Sequence, residues 1–330
     1  MSNNYILRGE NAIYYECGFS SDNAIFLSLN KDRYFITDSR YTLEASKAIK
    51  DALIIDGGRD LVKKAREFVR KSKIKKLTID PFEWNIRDFE ELKKLKVSFL
   101  QKPNLSQKKR IIKSFNEIDI LKEAVKKGKL AFRRFEEFFI DEGIGKSEKF
   151  LNYSMQNFMR DFGEYELSFE PITAINENSA LPHALPTDKK LESNSLFLVD
   201  AGLKYKRYCS DRTETFINPK DSFQKKIYDI VLKAHDKAIE AIKEGVKASD
   251  IDRVAREVIE RAGYGKYFVH STGHGVGLDI HELPVISKSS DTILEEGMVF
   301  TVEPGIYLEN QFGVRIEDMV YIKNGKVEVM

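Results

Sequence analysis

The segment Leu196–Phe216, LFLVDAGLKYKRYCSDRTETF, decides how the second half of this chain folds. Its pattern is typical of two strands joined by a tight turn, with Asp200 in the first strand and Asp211 in the second. Residues that face each other across a hairpin have position numbers with a constant sum, so a two-residue turn at Tyr205–Lys206 would place the two aspartates directly opposite each other. Their Cβ atoms would then be about 4.5–5.5 Å apart. Two ionised carboxylates at that distance repel each other unless a proton or a cation lies between them.

The composition is that of a globular protein with more than one domain. At 330 residues the chain is longer than a typical domain, so two domains are expected. Its 54 Lys and Arg residues nearly balance its 52 Asp and Glu residues, which gives no electrostatic argument for a nucleic-acid partner. The start lacks a signal-peptide pattern, no apolar run is long enough to span a membrane, and the two cysteines, Cys17 and Cys209, are far apart. We therefore expect a cytoplasmic protein without membrane partners or structural disulfides.

Residues 1–105 are predicted to form a small α/β domain. Short runs typical of strands, such as Ala24–Leu29 and Lys76–Ile79, alternate there with apolar residues at helical spacing. No group of catalytic residues is found in this part of the chain. Asp38 and Arg40 are interpreted as a structural ion pair or a dimer contact.

A second domain is predicted over residues 106–330, after a polar linker at 101–114. Ser114 and Glu117 have the spacing of a capping box, which marks the start of a long helix. Further helices are predicted at 148–160, 222–243 and 250–262, the last with Ser249 as its N-cap. The second domain is therefore also expected to mix helices and strands.

Four of the five histidines lie in two short segments. His183 lies in ENSALPHALP, and His270, His274 and His281 lie in the glycine-rich segment HSTGHGVGLDIHELP. His235 lies alone in a predicted helix, where a surface or packing role is the simpler interpretation. Glycines allow unusual dihedrals and close backbone approach, which suits a loop around a site. The segment has neither the Lys-Ser/Thr of a phosphate-binding loop nor a dinucleotide fingerprint, which disfavours a phosphate site.

A second hairpin near the C-terminus repeats the arrangement of the first. In TVEPGIYLENQFGVRIED, a loop with an odd number of residues centred on Asn310 would place Glu303 opposite Glu317. Either hairpin alone is more often an ordinary surface turn. With a histidine from the glycine-rich segment, the two hairpins supply five candidate metal ligands: Asp200, Asp211, His274, Glu303 and Glu317.

These ligand types predict a particular kind of metal centre. Carboxylates with one imidazole and no thiolate suit Mn²⁺, Co²⁺, Fe²⁺ or Zn²⁺. Four carboxylates carry a formal charge of about −4, which two divalent ions would neutralise. Two such ions bridged by carboxylates and a water form the usual two-metal hydrolytic centre.

Several motifs, in this order, resemble those of the Xaa-Pro peptidases. These are SALPH, LVDAGLKYKRYCSD, HSTGHGVGLDIHE, TVEPGIY and GVRIED, while YYECGFSSDNA and ITDSRY resemble the N-terminal domain of aminopeptidase P. The resemblance is to the proline-specific branch of the methionine-aminopeptidase-like "pita-bread" metallopeptidases, and within it to Xaa-Pro aminopeptidase. It implies an α/β (α+β) fold with a small creatinase-type N-terminal domain, shortened at its start, followed by a pita-bread catalytic domain.

The resemblance also implies roles for individual residues. Asp200 and Asp211 match the two aspartate ligands, with Asp211 bridging the metals, and His274 matches the single histidine ligand. Glu303 matches a ligand that also moves protons, and Glu317 matches the second bridging ligand. The cleft residues that would contact the substrate or support the site are His183, His270, His281 and Arg315.

The implied activity is hydrolysis of the N-terminal Xaa-Pro bond of peptides by a metal-bridging water or hydroxide, with Glu303 as the proton shuttle. The implied cofactors are two divalent ions, with Mn²⁺ preferred and Co²⁺, Zn²⁺ or Fe²⁺ as alternatives. The implied partners are peptides with proline at the second position, and a second copy of the chain in a homodimer. The chain departs from the family at its start, at Ile175, and at Arg212–Glu214, where it could alter the charge near Asp211.

Other functions compete with this one. Xaa-Pro dipeptidase (prolidase) is the alternative within the family, since it needs the same metals. A binding module that has lost catalysis would not be expected to keep all five ligands. The same ligand set argues against creatinase, and methionine aminopeptidases lack the N-terminal domain.

Overall fold

The structure is a computed structural model that describes residues 4–330. The described chain divides into two compact units between Arg110 and Ile111. No helix within this range combines the length and the apolar composition needed to cross a membrane.

The first unit is built on a mixed six-stranded sheet. Its strands and helices in chain order are β1 (Tyr5–Leu7), α1 (Glu10–Cys17), β2 (Ala24–Leu29), β3 (Asp32–Thr37), α2 (Thr42–Ala48), β4 (Leu53–Asp56), α3 (Leu61–Ser72), β5 (Lys76–Ile79), α4 (Ile86–Lys93), β6 (Ser98–Gln101) and α5 (Leu105–Arg110). The strand order is β4-β3-β2-β1-β5-β6. Strand β1 pairs antiparallel with β2 and parallel with β5.

Both faces of this sheet are buried, which explains why β2 is apolar along nearly its whole length. Ile25 and Leu27 belong to the apolar cluster that contains the inner face of α3. Phe26 points to the other face and belongs to the cluster that contains Ile13 of α1. The predicted α/β domain is therefore confirmed. The predicted ion pair is also present, since Arg40 donates to both carboxylate oxygens of Asp38 at 2.9 Å.

The predicted linker over 101–114 contains the division between the two units, and its middle is helical. Leu105–Arg110 forms the short helix α5, and both Leu105 and Arg110 are buried in the first unit. The Asp80 carboxylate accepts a hydrogen bond from the backbone N–H of Leu105 at 2.7 Å, which satisfies one of the free donors at the start of this helix. The local sequence does not predict this helix, because it is polar and because the residue that caps the helix, Asp80, lies 25 residues earlier.

The second unit combines two pairs of helices with antiparallel strands. Its elements in chain order are α6 (Phe115–Glu142), α7 (Glu148–Arg160), β7 (Glu166–Leu167), β8 (Ile172–Ile175), β9 (Phe197–Ala201), β10 (Leu203–Tyr205), β11 (Tyr208–Cys209), β12 (Arg212–Phe216), α8 (Ser222–Ala241), α9 (Ala248–Arg261), β13 (Gly273–Gly275), β14 (Glu282–Ile286), β15 (Val299–Val302), β16 (Gly305–Leu308), β17 (Phe312–Arg315), β18 (Asp318–Lys323) and β19 (Lys326–Val329). The α6–α7 pair packs on β9, and the α8–α9 pair packs on β14 to β18.

The predicted helices of this unit are present, with differences of one or two residues at the ends of α8 and α9. The side chain of Ser114 and that of Glu117 form the predicted capping box, and α7 spans the predicted residues 148–160. Helix α9 begins at Ala248, so Ser249 is not its N-cap. The backbone N–H of Ala248 instead donates to the carbonyl of Thr292 at 2.9 Å.

The register of the first hairpin differs from the prediction by two positions. Asp200 pairs directly with Thr213, not with Asp211. The two-residue turn is Lys206–Arg207, with φ values of +49° and +73°, and it is flanked by the pair Tyr205–Tyr208. Because side chains alternate faces with a period of two, this shift keeps both aspartates on the same face of the hairpin.

The second hairpin forms as predicted. Gly305 pairs with Arg315 and Leu308 with Phe312, which leaves a three-residue loop centred on Asn310 at φ +59°. The same register continues beyond the hairpin, where β15 pairs with β18. Glu303 and Glu317 therefore lie opposite each other between the two pairs of strands.

The turn at Lys206–Arg207 offers a test of this register. Both residues hold the left-handed conformation, which is unfavourable for ordinary side chains and which Asn and Gly tolerate. Replacing them together, Lys206→Asn with Arg207→Gly, should raise the free energy of unfolding by about 1 kcal/mol. Urea denaturation of the full chain would measure the change.

The matched control is a second two-residue turn in this unit, Asn324–Gly325, which joins β18 to β19 with φ values of +52° and +73°. The reverse replacement, Asn324→Lys with Gly325→Arg, should destabilise the chain by a similar amount. Loss of stability in both variants would contradict the turn assignment at Lys206–Arg207.

Candidate metal centre

A cleft of about 640 Å³ in the second unit brings together every residue proposed from the sequence as part of a site. The side chains that line it include His183, Asp200, Asp211, His270, His274, His281, Glu303, Arg315 and Glu317. They come from segments that are more than 130 residues apart in sequence. The tertiary fold alone places them in one cavity.

The backbone places the ligand candidates at the point where strands change partners. The N–H of Glu303 donates to the carbonyl of Thr272 at 2.8 Å, and the N–H of Glu317 donates to the carbonyl of Thr213 at 3.1 Å. The first bond links the end of β15 to the segment before β13, and the second links the segment before β18 to β12. Both glutamates are therefore fixed by backbone hydrogen bonds although neither lies within a strand.

The first hairpin approaches itself closely where Asp211 enters the cleft. A Cβ atom on Gly202 would lie 1.9 Å from the carbonyl oxygen of Ser210, so only glycine fits at this position. The N–H of Ser210 donates to the carbonyl of Leu203 at 2.8 Å and keeps the two strands aligned. Asp211 follows directly, and its side chain is buried.

His274 lies between the carboxylates. Its Nε2 atom is 3.6 Å from Oδ2 of Asp211 and 3.4 Å from Oε1 of Glu303. Its Nδ1 atom is 3.1 Å from the carbonyl of Gly275, to which Nδ1–H can donate. In that tautomer the lone pair on Nε2 faces the carboxylates, an arrangement that a metal ion stabilises. Ligand atoms of Asp211, His274 and Glu317 all lie within 4.8 Å of one another.

Arg315 is the main positive charge in this cleft. Its guanidinium donates from Nη2 to Oδ2 of Asp200 at 2.7 Å, from Nη1 to the hydroxyl of Tyr307 at 2.8 Å, and from Nε to the hydroxyl of Thr213 at 3.0 Å. The Thr213 hydroxyl in turn donates to Oε2 of Glu317 at 2.7 Å. These bonds orient two of the acidic side chains towards the cavity.

The electrostatic balance of the cleft calls for cations. Burial, followed by the charges of Glu317 and Asp200, raises the pKa of Asp211 well above its usual value. Burial also raises the pKa of Glu317 well above its usual value, with Glu303 and Asp200 adding to the effect. The pKa of Glu303 is raised mainly by burial. Oδ1 of Asp200 is buried and accepts no hydrogen bond from the described residues. An unpaired acceptor among four carboxylates fits a divalent cation.

The three cleft histidines differ in their surroundings. His270 is held at both nitrogens, because Nδ1 is 2.8 Å from the carbonyl of Ser271 and Nε2 is 2.8 Å from the hydroxyl of Tyr307. Burial lowers the pKa of His270, in keeping with a neutral ring. His281 packs edge-on against His274 at 4.3 Å between ring centroids. Burial, then the charges of His274 and His183, lowers the pKa of His281, while His183 itself is exposed at the rim.

Sequence reasoning missed Tyr307. Its hydroxyl connects Arg315 to His270, and burial raises the pKa of this hydroxyl to about 12, so it stays protonated and can donate. A signal was present in the second hairpin, since Gly305 faces Arg315 and Tyr307 lies two residues further on the same face. A Cβ atom on Gly305 would lie 2.7 Å from the Tyr307 hydroxyl, so the glycine makes room for the ring.

The unusual residues after Asp211 point away from the ligands. Arg212 pairs with Glu214 and with Asp318. Between them Thr213 takes the opposite face and provides the contacts to Glu317 and Arg315 described above. Arg212, Glu214 and Asp318 therefore form a group of paired charges that does not include the ligand candidates.

The comparisons with known proteins agree with this geometry. Residues 119–324 match the family described as Metallopeptidase family M24, and residues 3–112 match the Creatinase/Prolidase N-terminal domain. The chain belongs to metallopeptidase family M24. The predicted fold class, a creatinase-type α/β domain followed by the family's catalytic domain, is confirmed.

Three relatives of this M24 peptidase are informative. The structure of the Xaa-Pro dipeptidase from Bacillus anthracis matches with a TM-score of 0.94 at 36% identity, over 99% of this chain and 92% of that chain. The X-Pro aminopeptidase from Thermotoga maritima MSB8 matches with a TM-score of 0.88 at 33% identity, over 99% and 94%. The Xaa-Pro dipeptidase from Pyrococcus furiosus is 44% identical over 220 residues, which are 66% of this chain and 62% of that protein.

The metallopeptidase prediction is thus confirmed at the level of the family, in which divalent metals serve catalysis. The names of these relatives include both specificities, and the dipeptidase from Bacillus anthracis matches with a higher TM-score and identity than the aminopeptidase from Thermotoga maritima. The comparisons therefore favour the alternative, Xaa-Pro dipeptidase, over the first choice made from the sequence.

The raised carboxylate pKa values predict how metal binding alters the pH dependence of stability. In the chain without metal, the folded state binds protons at Asp211, Glu303 and Glu317 more tightly than the unfolded state does. The stabilisation is full below about pH 4, near the unfolded pKa values, and is lost as the pH rises through the raised folded values. Chelated protein should therefore melt at least about 3 °C higher at pH 5 than at pH 7.5.

Divalent metal would replace these protons. The melting temperature of the metal-saturated chain should therefore differ much less between pH 5 and pH 7.5. The variant Asp211→Asn serves as a control, because it removes one of the repelling charges and should weaken the pH dependence of the chelated form. Identical pH profiles with chelator and with metal would contradict this account of the cleft.

A buried ion pair supports the loop that carries two of the histidines. Nζ of Lys113 is 2.5 Å from Oε1 of Glu282, and both side chains are 1% exposed. Oε2 of Glu282 accepts from the N–H of Asp279 at 3.4 Å, and Gly277 packs against the same carboxylate. The pair therefore lies directly behind the turn between His274 and His281.

Removing one partner of this pair should be costly, because the other charge stays buried. Lys113→Met should lower the free energy of unfolding by about 3–5 kcal/mol, and the double variant with Glu282→Gln should recover part of the loss. As a control, Lys225→Ala in the exposed pair with Asp229 should change stability by less than about 1 kcal/mol. Denaturant unfolding of the four chains would measure this, and equal effects at the two pairs would contradict it.

Proposed function

We propose that this protein is a two-metal Xaa-Pro peptidase, which hydrolyses the bond before a proline at the second position of a peptide. The observation that carries the proposal is the convergence of four carboxylates and one imidazole in a single buried cleft of an M24 chain. Asp200, Asp211, His274, Glu303 and Glu317 would hold two divalent ions. Mn²⁺ is the first candidate, and Co²⁺, Zn²⁺ and Fe²⁺ suit the same ligands.

The chain's own residues can carry out the proton transfers. Bound divalent ions would supply a water of lowered pKa and would polarise the scissile carbonyl. Glu303 would accept a proton and deliver it to the proline nitrogen as the bond breaks, because burial raises its pKa and so makes the carboxylate a better proton acceptor. His183 and His281, both exposed to the cleft, can donate hydrogen bonds to the substrate carbonyl groups.

The shape of the cleft supports a preference for proline. Eight apolar residues, here called the apolar wall, also line the cavity: Phe169, Pro171, Ile172, Pro182, Ala184, Leu185, Pro186 and Ile280. A peptide bond to proline has no N–H and a fixed φ, so its recognition depends on the ring and on the adjacent carbonyl groups. An apolar wall beside the ligand cluster offers the contacts that such a ring needs.

Within this activity, the dipeptidase is the better supported specificity, because the Xaa-Pro dipeptidase from Bacillus anthracis matches this chain with a higher TM-score and identity than the aminopeptidase from Thermotoga maritima does. One observation favours the aminopeptidase as a second candidate. Among the described residues that line the cleft, Arg315 is the only arginine or lysine, and Asp200, Tyr307 and Thr213 occupy its donors. A dipeptide would bring its terminal carboxylate into the cleft, where His183 and His281 would have to receive it. The homodimer stays a prediction.

The test compares substrates that differ only after the proline. Mn²⁺-loaded protein should cleave a Xaa-Pro dipeptide and release the first residue, and should cleave a Xaa-Pro-Xaa tripeptide more slowly. A Xaa-Ala dipeptide should be a poor substrate. The variant Glu303→Gln should lower kcat about 100-fold or more, because it cannot move the proton.

The control is Asp229→Asn on the exposed face of α8, which should leave turnover unchanged. Faster cleavage of the tripeptide would assign the protein to the aminopeptidases. No cleavage of either proline peptide with any of the four metals would overturn the proposal.

A further inference from the structure

A buried carboxylate outside the ligand cluster has no role in the chemistry described so far. Glu148 is the first residue of α7, and its side chain is completely buried. Among residues 4–330, none of the ion pairs includes it. A buried ionised group without a counter-charge is expensive unless hydrogen bonds satisfy its oxygens.

Four donors satisfy this carboxylate, and all belong to one stretch of chain. Oε1 accepts from the N–H of Ile175 at 2.6 Å. Oε2 accepts from Nδ2 of Asn178 at 2.8 Å, from the N–H of Thr187 at 2.7 Å and from the hydroxyl of Thr187 at 2.6 Å. Hydrogen bonds to an ionised acceptor are about twice as strong as neutral ones. Glu148 therefore holds both ends of the segment between Ile175 and Thr187.

This segment, residues 176–187, is the rim loop of the cleft. Its middle supplies five lining residues: Pro182, His183, Ala184, Leu185 and Pro186. Helix α7 holds the far end of the loop by further backbone bonds, since the N–H of Lys149 donates to the carbonyl of Thr187 at 3.1 Å. On the side of the ligands, Nη1 of Arg315 is 3.3 Å from the carbonyl of Pro182. The exposed His183 thus depends for its position on these contacts at the base of the loop.

We propose that Glu148 is a positioning residue for substrate binding, which holds the rim loop so that His183 and the apolar wall face the metal ligands. The inference rests on the proposed function, since it assigns the rim loop to the peptide. Glu148 touches neither the ligand candidates nor the cavity, so its effect must pass through the loop. A loop that is correctly placed only part of the time weakens apparent substrate affinity by that fraction.

The variant Glu148→Gln tests this with little change in shape. Its amide oxygen can replace Oε2 as an acceptor for Asn178 and Thr187. Its NH₂ group would replace Oε1 and face the N–H of Ile175, so that two donors would oppose each other. We expect KM for the preferred proline peptide to rise at least 10-fold, kcat to change less than 3-fold, and bound metal to stay unchanged. Hydrogen exchange should become at least 10-fold faster at the amides of residues 176–187 and stay unchanged in α8.

The matched control is Glu117→Gln, another buried carboxylate in the first turn of a helix. Its partners are Ser114 and Tyr208, and it does not contact the rim loop. It should lower the melting temperature by a similar amount and leave KM unchanged. A milder variant, Thr187→Val, removes one of the four donors and should raise KM in the same direction, while Thr187→Ser should keep it near the wild-type value.

Three outcomes would overturn the inference. One is an unchanged KM in a Glu148→Gln chain whose rim loop exchanges faster, which would leave Glu148 with a purely structural role. The second is unchanged exchange in the rim loop, and the third is an equal rise of KM in Glu117→Gln. If the wild-type chain cleaves no peptide, the proposed function fails, and the exchange measurement still decides whether Glu148 holds the loop. If Glu148→Gln does not fold, Thr187→Val and Thr187→Ser decide.

Discussion

Four carboxylates, three buried and one half-buried, repel one another in the second unit, and the rest of that unit depends on this constraint. Asp200, Asp211, Glu303 and Glu317 share one cleft, and only Arg315 among the described lining residues carries a permanent opposite charge. Left alone, such a cluster would spread apart or take up protons, because burial raises the pKa of Asp211, Glu303 and Glu317. The cluster is stable because helices pack against the strands that carry the carboxylates. The α6–α7 pair packs against β9, and the α8–α9 pair packs against the strands around β15 and β18.

The ligand candidates occupy two kinds of position in the strands. Asp200 and His274 lie within β9 and β13, whereas the other three lie where a strand is interrupted. Glu303 and Glu317 instead lie between two paired stretches, where their N–H groups donate to Thr272 and Thr213. Asp211 lies at a similar break, after the close approach of Gly202 to Ser210. The strand pairing is thus interrupted beside the cavity. The backbone N–H groups of Glu303 and Glu317 keep hydrogen-bond partners there, because they donate to other segments.

The sequence predicted correctly that the ligand candidates lie together, because a register error of two residues leaves each side chain on the same face of its strand. The second hairpin has the predicted register, since Asn310 suits the left-handed position of its loop. The first is displaced by two residues, because Lys206 and Arg207 give no sign that they occupy a left-handed turn. A displacement of two keeps the face, so Asp200 and Asp211 still converge. The roles of Tyr307 and Glu148 could not be derived in this way, because each depends on contacts between segments whose packing no local pattern describes.

The guanidinium of Arg315 has a consequence for how the two sides of the cleft communicate. It donates to the carboxylate of Asp200 and also to the backbone carbonyl of Pro182 in the rim loop. A shift of Asp200 on binding an ion would therefore move Arg315 and, through it, the rim loop. A shift of the rim loop around a peptide would act on Asp200 by the same contacts. Coupling between two binding events is reciprocal, so the factor by which an ion changes the affinity for the peptide equals the factor by which the peptide changes the affinity for the ion. Through this one side chain, the proposed binding of metal and the proposed binding of peptide would become a single linked equilibrium.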